Sequence, residues 1–314
     1  MQDDLSVFDT SLADLPNGPW LQKISEISEE HGYFQALGKR HFATFFGKKP
    51  ILLVTFETVA TLRATSPNSH PFGWELFKEN GWSHLSIISD GDTWFRDPKV
   101  YAYFDRLVDD GFFDDFDQVV FYGAGPCGYA AAAFSVAAPG ATVVAIQPQA
   151  TLDPRVTEWD DRHVKMRRTD FTSRYGYAPD MLDAAEQAYV IYDPYERLDA
   201  AHAAMFTRSN VKKLRVPNLG ASLQSVLIKM EILKPLLLAA GDHNLTNLKF
   251  AKLLRARRDN RWYLHKIMAK LDAKERDTFT RAVCNHVISQ ISQGRAPRFE
   301  RKLKALDAKL IAED

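Results

Sequence analysis

Gln118-Val119-Val120-Phe121-Tyr122-Gly123-Ala124-Gly125-Pro126-Cys127-Gly128-Tyr129-Ala130-Ala131-Ala132 is an apolar run, a turn with three glycines, and a run of small residues. It reads as a strand, a sharp turn, and a helix lying close on a sheet. Working outward, similar apolar runs occur at 51–56, 84–89, 142–146 and 188–192, with a weaker one at 211–216 that three basic residues interrupt. Continuous apolar runs suit strands buried on both faces. Helical segments at 99–110, 129–138 and 195–206 separate them. Strands alternating with helices predict an α/β fold, a doubly wound and mostly parallel sheet. Residues 1–48 read as an N-terminal helical segment anchored by Trp20, Ile24, Ile27 and Phe34. Residues 49–221 are the α/β core, and 222–314 show only helical periodicity, an all-helical C-terminal appendage.

The composition fits a globular chain of 314 residues, 46% hydrophobic and 25% charged, and excludes a disordered or fibrous one. Two cysteines, Cys127 and Cys284, exclude a disulfide scaffold, and no Cys/His spacing suggests a metal site. The acidic N-terminus lacks the basic and apolar regions of a signal peptide. The most apolar helical stretch, 227–240, carries Lys229, Glu231 and Lys234 and is too short to span a bilayer. The expectation is a cytoplasmic, bacterial-type protein without a membrane partner. The 40 Lys+Arg balance the 40 Asp+Glu, so nucleic acid is not an expected partner. The balance is uneven, however. From Ser222 onward there are 19 basic and 10 acidic residues, which leaves the rest of the chain about as negative as this part is positive. That split predicts that the helical part docks on the α/β part, within one chain or across a homo-oligomer. Leu233, Leu237, Leu238, Leu253, Trp262 and Ile267 are the expected buried stripe.

The glycine turn admits three readings. Gly123, Gly125 and Gly128 form a GxGxxG turn opening a helix, similar to the fingerprint of FAD- or NAD(P)-binding proteins. The next strand then ends in Gln147-Pro148-Gln149, without the acid that would bind a ribose. The second reading is a nucleophile elbow. The stretch resembles α/β-hydrolase-fold proteins with an elbow of the form GxSxGGYAAL and a Ser-Pro-Gln-like segment one strand later, here around Gln149. The resemblance covers roughly residues 50 to 222 and implies Asp193 as the triad acid, with Asp199 as a second candidate. The departures are specific. The nucleophile position falls on Gly125, which has no side chain. The following residue, a backbone donor to an oxyanion hole in that family, is Pro126, which has no N–H. No histidine occurs near Asn218–Ser222, where the general base should lie. The third reading moves the nucleophile to Cys127 at the helix N-terminus, where a thiolate would be favoured. Its base is missing, with His163 and His202 nearest in sequence. Otherwise Cys127 is a small packing residue.

The whole chain also resembles proteobacterial proteins that often carry a phosphoadenosine phosphosulfate reductase label. The SGGxDS-type loop and ECGxH-type tail of that chemistry are absent, and Cys284 lies in a helical stretch, so the activity is not implied.

Other groups fall where open α/β sheets bind ligands, at the carboxyl ends of strands. Trp94 and Arg96, in the segment after 84–89, could grip a sugar or an anion, or Trp94 could anchor a turn. Asp90, Asp92 and Asp97 offer a weak cation site. Residues 158–168 form an insertion at the place of a hydrolase cap. The basic run 255–261, with Arg298, Arg301, Lys302 and Lys304, could meet phosphates or an acidic partner. The leading expectation is a degenerate α/β-hydrolase-like protein binding a small molecule or protein partner. Its binding residues are Gly123, Gly125, Gly128, Trp94 and Gln149, with Cys127 and Asp193 as catalytic candidates, and it needs no cofactor.

Overall fold

A computed structural model describes residues 5–48, 50–291 and 295–313. Among them eight strands form one sheet: β1 (Gly32–Leu37), β2 (His41–Phe46), β3 (Ile51–Thr58), β4 (Ser83–Ser89), β5 (Gln118–Ala124), β6 (Thr142–Ile146), β7 (Gln187–Tyr192) and β8 (Val211–Arg215). Their order is β1-β2-β4-β3-β5-β6-β7-β8. Strand β2 runs antiparallel to both neighbours, and the strands from β4 to β8 are mutually parallel. The sheet is thus doubly wound and mostly parallel, as expected.

The two faces follow from the period of two along each strand. On β5, Val119 and Phe121 point to one core and Val120 and Tyr122 to the other. The first face is covered by the helices Pro98–Asp109 and Pro126–Phe134, and by Ala203 of Arg197–Met205. The second is covered by Leu76 of Gly73–Asn80 and by the C-terminal helices Leu223–Lys229 and Leu233–Gly241. Both layers are needed, because a parallel sheet with one bare face would leave its aliphatic side chains in water.

The N-terminal 48 residues are a correction. Asn17–His31 is a helix, and Trp20, Ile24 and Ile27 are buried in a third core with Phe34 against it. The segment then turns into the hairpin of β1 and β2 and does not stay helical. Strand β1 is half exposed at the sheet edge, so its residues carry no strong apolar signal. The turn is marked by Gly38, whose φ of +80° suits glycine. At the opposite edge β8 points three basic side chains outward, which explains its weak pattern and blunts the edge.

The C-terminal helices dock in the same chain. Leu233 and Leu237 are buried on the sheet, while Leu238, Leu253 and Ile267 are half-buried against the same core. Trp262 is the exception, 52% exposed on the outer side of its helix. Ionic docking is sparse. Lys234 pairs with Glu75 and Glu79 across the two parts, whereas Arg281–Asp307, Lys302–Asp272 and Lys309–Asp277 stay within the helical part. Apolar burial therefore carries the docking. Leu237→Ala should lower unfolding stability by about 2–5 kcal/mol. Trp262→Ala should change it by less than about 0.5 kcal/mol. Urea unfolding of the two variants checks the contrast.

Candidate functional site

Strand β5 ends at the centre of the sheet, between β3 and β6, and Gly125 caps the helix Pro126–Phe134. The helix begins three residues earlier than its small-residue run, because Pro126 at its first position has the φ a helix needs and no N–H to waste. Gly125 sits at φ 57° and ψ −124°, a region that side chains rarely enter. Its N–H donates to Ile146 O at 2.8 Å, and its carbonyl accepts from Tyr129 N at 2.9 Å. A Cβ on Gly125 would meet no atom within 4 Å. A Cβ on Gly123 would lie 2.0 Å from the carbonyl oxygen of Cys127, and one on Gly128 2.9 Å from that of Ile146. Gly123 and Gly128 therefore permit close backbone packing, and Gly125 permits the turn. Together they build a strand-to-helix elbow with open space where a nucleophile stands in a hydrolase.

Asp193 follows β7 and is fully buried. One carboxylate oxygen accepts from Tyr195 N at 3.0 Å and the other from Gly220 N at 2.7 Å. Gly220 lies in the loop after β8, where a catalytic histidine would otherwise reach this acid. A backbone amide has taken that place.

Cys127 is buried within the core. Burial pushes its thiol well above the ordinary value, and the nearby carboxyls of Glu57 and Asp92 push the same way, against a hydrogen bond with the Thr58 backbone. The activated thiolate expected from the helix N-terminus is thus disfavoured; desolvation outweighs the helix terminus. Trp94 is also a correction. It is 1% exposed and lies edge-on against Tyr129, His163 and Phe171, so it presents no face to a sugar. Trp94 and Phe95 both have φ of 56°, a strained pair held by that burial. Arg96 is spent on the insertion after β6. It donates to the carbonyls of Asp170 and Arg174, to the Ser173 hydroxyl and to the Tyr129 hydroxyl. Asp97 caps the next helix through Lys99 N; Asp90 N donates to the Arg40 carbonyl, and Arg40 Nε donates back to the Asp90 carbonyl. Among the described residues no group of three or more His, Cys, Asp or Glu could hold a metal ion.

The insertion, residues 147–186, is pinned as a cap by a buried network. His202 Nδ1 accepts from Ala150 N at 3.1 Å, and Nε2 donates to Asp160 at 2.9 Å. Both ring nitrogens are engaged, so this histidine–carboxylate pair has no free lone pair with which to serve as a base. Burial keeps the imidazole neutral by lowering its pKa against the pull of Asp160. Arg162 pairs with Asp160 at 2.7 Å and with Asp199 at 2.6 Å. Burial would raise the Asp160 pKa, but the hydrogen bonds from Arg162 and His202 hold it well below the carboxylate range. Gln147 joins Asp199 to the N–H of Leu223, linking the cap to the C-terminal helices. Gln149 is buried, and its side-chain oxygen has no partner.

Sequence reasoning missed Glu57. It is the penultimate residue of β3, on the face opposite Phe56, where it accepts from Phe72 N at 3.1 Å and from the Thr55 and Ser86 hydroxyls, each at 3.1 Å. His84 bonds Thr55 at 2.9 Å, and burial drives its pKa to about 3. Burial pushes Glu57 up to about 7 despite the three donors. It lines a cleft of ≈ 360 Å³ with His70, Phe72, Trp74 and Ile228. The only available signal was an acid inside an otherwise apolar run, next to a strand carrying His84 and Ser86.

The sheet is α/β-hydrolase-like: mostly parallel, with β2 antiparallel beside β4 and an elbow after the central β5. No protein-family model matches the chain, and no similar curated protein is found. Solved structures similar to it include an esterase from Pyrobaculum calidifontis, at 15% identity over 77% of this chain and 98% of that one, TM-score 0.45. A glycosylation-associated protein complex (Gap123) from Streptococcus agalactiae matches at 11% identity over 67% of this chain and 46% of that one, TM-score 0.45. The capsule O-acetyltransferase of Neisseria meningitidis serogroup A matches at 10% identity over 62% and 90%, TM-score 0.42. Among the described residues no helix is long and apolar enough to cross a membrane.

Two outcomes test the site. Arg162→Ala leaves Asp160 and Asp199 buried without their cation and should cost on the order of 3 kcal/mol. Arg155→Ala removes an exposed side chain from its pair with Asp153 and should cost less, about 1 kcal/mol. Urea midpoints separate them. Glu57 binds its proton more tightly folded than unfolded, so it lowers stability as pH rises from about 5 to 7, and the penalty is full above 7. Glu57→Gln should flatten that fall, measured as unfolding free energy between pH 5 and 8.

Proposed function

We propose that this chain is a degenerate, non-hydrolytic member of the α/β-hydrolase fold that binds a small molecule or a protein partner. Gly125 carries the reading. The elbow keeps the backbone geometry of a nucleophile site, while the residue at its apex has no nucleophile. The remaining parts support the same conclusion. Pro126 has no N–H for an oxyanion hole, and the Asp193 carboxylate is bonded to Gly220 and Tyr195. Losing nucleophile and base typically removes several orders of magnitude of rate.

Small-molecule binding is favoured by the cleft beside β3. It has aromatic walls, the Glu57 carboxyl, and the indole N–H of Trp74, buried without a partner. An unpaired buried donor costs about 1–3 kcal/mol, which an acceptor on a ligand would offset.

The test is hydrolysis of p-nitrophenyl acetate and butyrate by the purified protein. We expect no turnover above the buffer rate, in the native chain and in Cys127→Ser alike. Turnover that survives purification and disappears in Cys127→Ser would overturn the reading and make Cys127 the nucleophile. Gly125→Ser should restore no activity and should cost about 1–3 kcal/mol of stability, since the added side chain has room but an unfavourable φ.

A further inference from the structure

A second cleft, of ≈ 320 Å³, lies in the C-terminal helical part, away from the elbow in the sequence. It is lined by Arg261, His265, Arg295, Arg298, Phe299 and Arg301. We propose that it binds the phosphate group of a small phosphorylated molecule. Four guanidinium groups share its walls with no carboxylate among them. Among the described residues, no salt bridge joins any of the four to an acid. The acid nearest in the chain, Glu300, is engaged in capping the N–H of Ala296 at 2.9 Å. By contrast, Arg281, Lys302 and Lys309 nearby each have an acidic partner.

The geometry suits a phosphate. Arg261 is fixed by a hydrogen bond from Nη2 to the Arg295 carbonyl at 2.8 Å, and Arg301 by one from Nε to the Pro297 carbonyl at 3.2 Å. These bonds hold two forks at the wall and leave other N–H groups available for bidentate contacts. Two helices also begin here, Arg261–Asp272 and Pro297–Glu313, and their positive ends add to the field. His265 stacks near Phe299, with ring centroids 4.2 Å apart. Burial, and then the charges of Arg298 and Arg261, lower the His265 pKa, which shows that the fields of both arginines reach the imidazole. The volume suits one small molecule and is at the low end of ligand pockets.

His265 is a local reporter. Its ring proton resonances are followed by NMR in the full chain during titration with sodium phosphate and then sodium pyrophosphate. Sodium chloride at matched ionic strength is the control. Expected are saturable shifts with both phosphates, tighter for pyrophosphate, and none that saturate with chloride. Arg298→Gln and Arg261→Gln should each weaken binding about tenfold, as for loss of a charge-assisted bond, with unfolding midpoints unchanged. Lys274→Gln, outside the cleft, should leave it unchanged. Shifts that match chloride, or affinities that ignore both arginine substitutions, would overturn the site. So would binding confined to a duplex oligonucleotide, or to phosphatidylcholine vesicles with 30% phosphatidylserine, that free phosphate does not compete away. That outcome would make the arginines a macromolecule-binding surface.

Discussion

The close approach of β5 to the helix that follows it organises the molecule. A Cβ on Gly123 would collide with the Cys127 carbonyl, and Gly125 must hold a φ of 57° for the chain to reverse there. These constraints let the alanine-rich helix lie directly on the sheet, with Ala130, Ala131, Ala132 and Ala133 all fully buried. Strand β6 then locks the turn, because Ile146 accepts the Gly125 N–H. In a working hydrolase a side chain at the apex stores strain. Glycine at this apex adopts the φ of 57° without that strain.

The polar groups around the elbow follow the same logic. Several polar side chains near the elbow are engaged by the fold. Asp193 fastens the loop after β8, and His202 and Asp160 fasten the cap. Arg96 holds the far end of that cap, and Cys127 fills the core beneath it. Buried charges are tolerated because they are paired and hydrogen-bonded, and breaking one pair would strand the other ion. The consequence is an insertion fastened by buried polar contacts beside a turn whose apex carries no side chain. Chemical potential remains in Glu57, a carboxyl that burial keeps near neutrality on the wall of a separate cleft.

The charge asymmetry of the chain has a similar double use. It does little for docking of the helical part, which rests on leucines against Val120, Tyr122, Val144 and Ile146. Part of the positive surplus is paired with acids, at Lys234, Arg281, Lys302 and Lys309, and four arginines without an acidic partner among the described residues line the arginine cleft.

The sequence by itself determined the sheet class, the position of the glycine turn and the absence of a side chain at Gly125. Those features rest on local signals: apolar runs, glycines at fixed spacing, and the presence or absence of a side chain at Gly125 and an N–H at Pro126. It also determined that the C-terminal helical part docks through leucines, because that pattern repeats along a helix. Only the tertiary structure decided which polar residues stay available. Trp94 reads in sequence either as a ligand-gripping ring or as a turn anchor, and burial against Tyr129, His163 and Phe171 decides for the anchor. Glu57 reads as an interruption in a strand and becomes a buried acid because Phe72, Thr55 and Ser86 surround it from distant positions. The edge hairpin of β1 and β2 escaped the sequence for a related reason. Its strand character comes from pairing with β4, a partner about forty residues away. Burial and pairing are properties of residues far apart in the chain, and no local pattern encodes them.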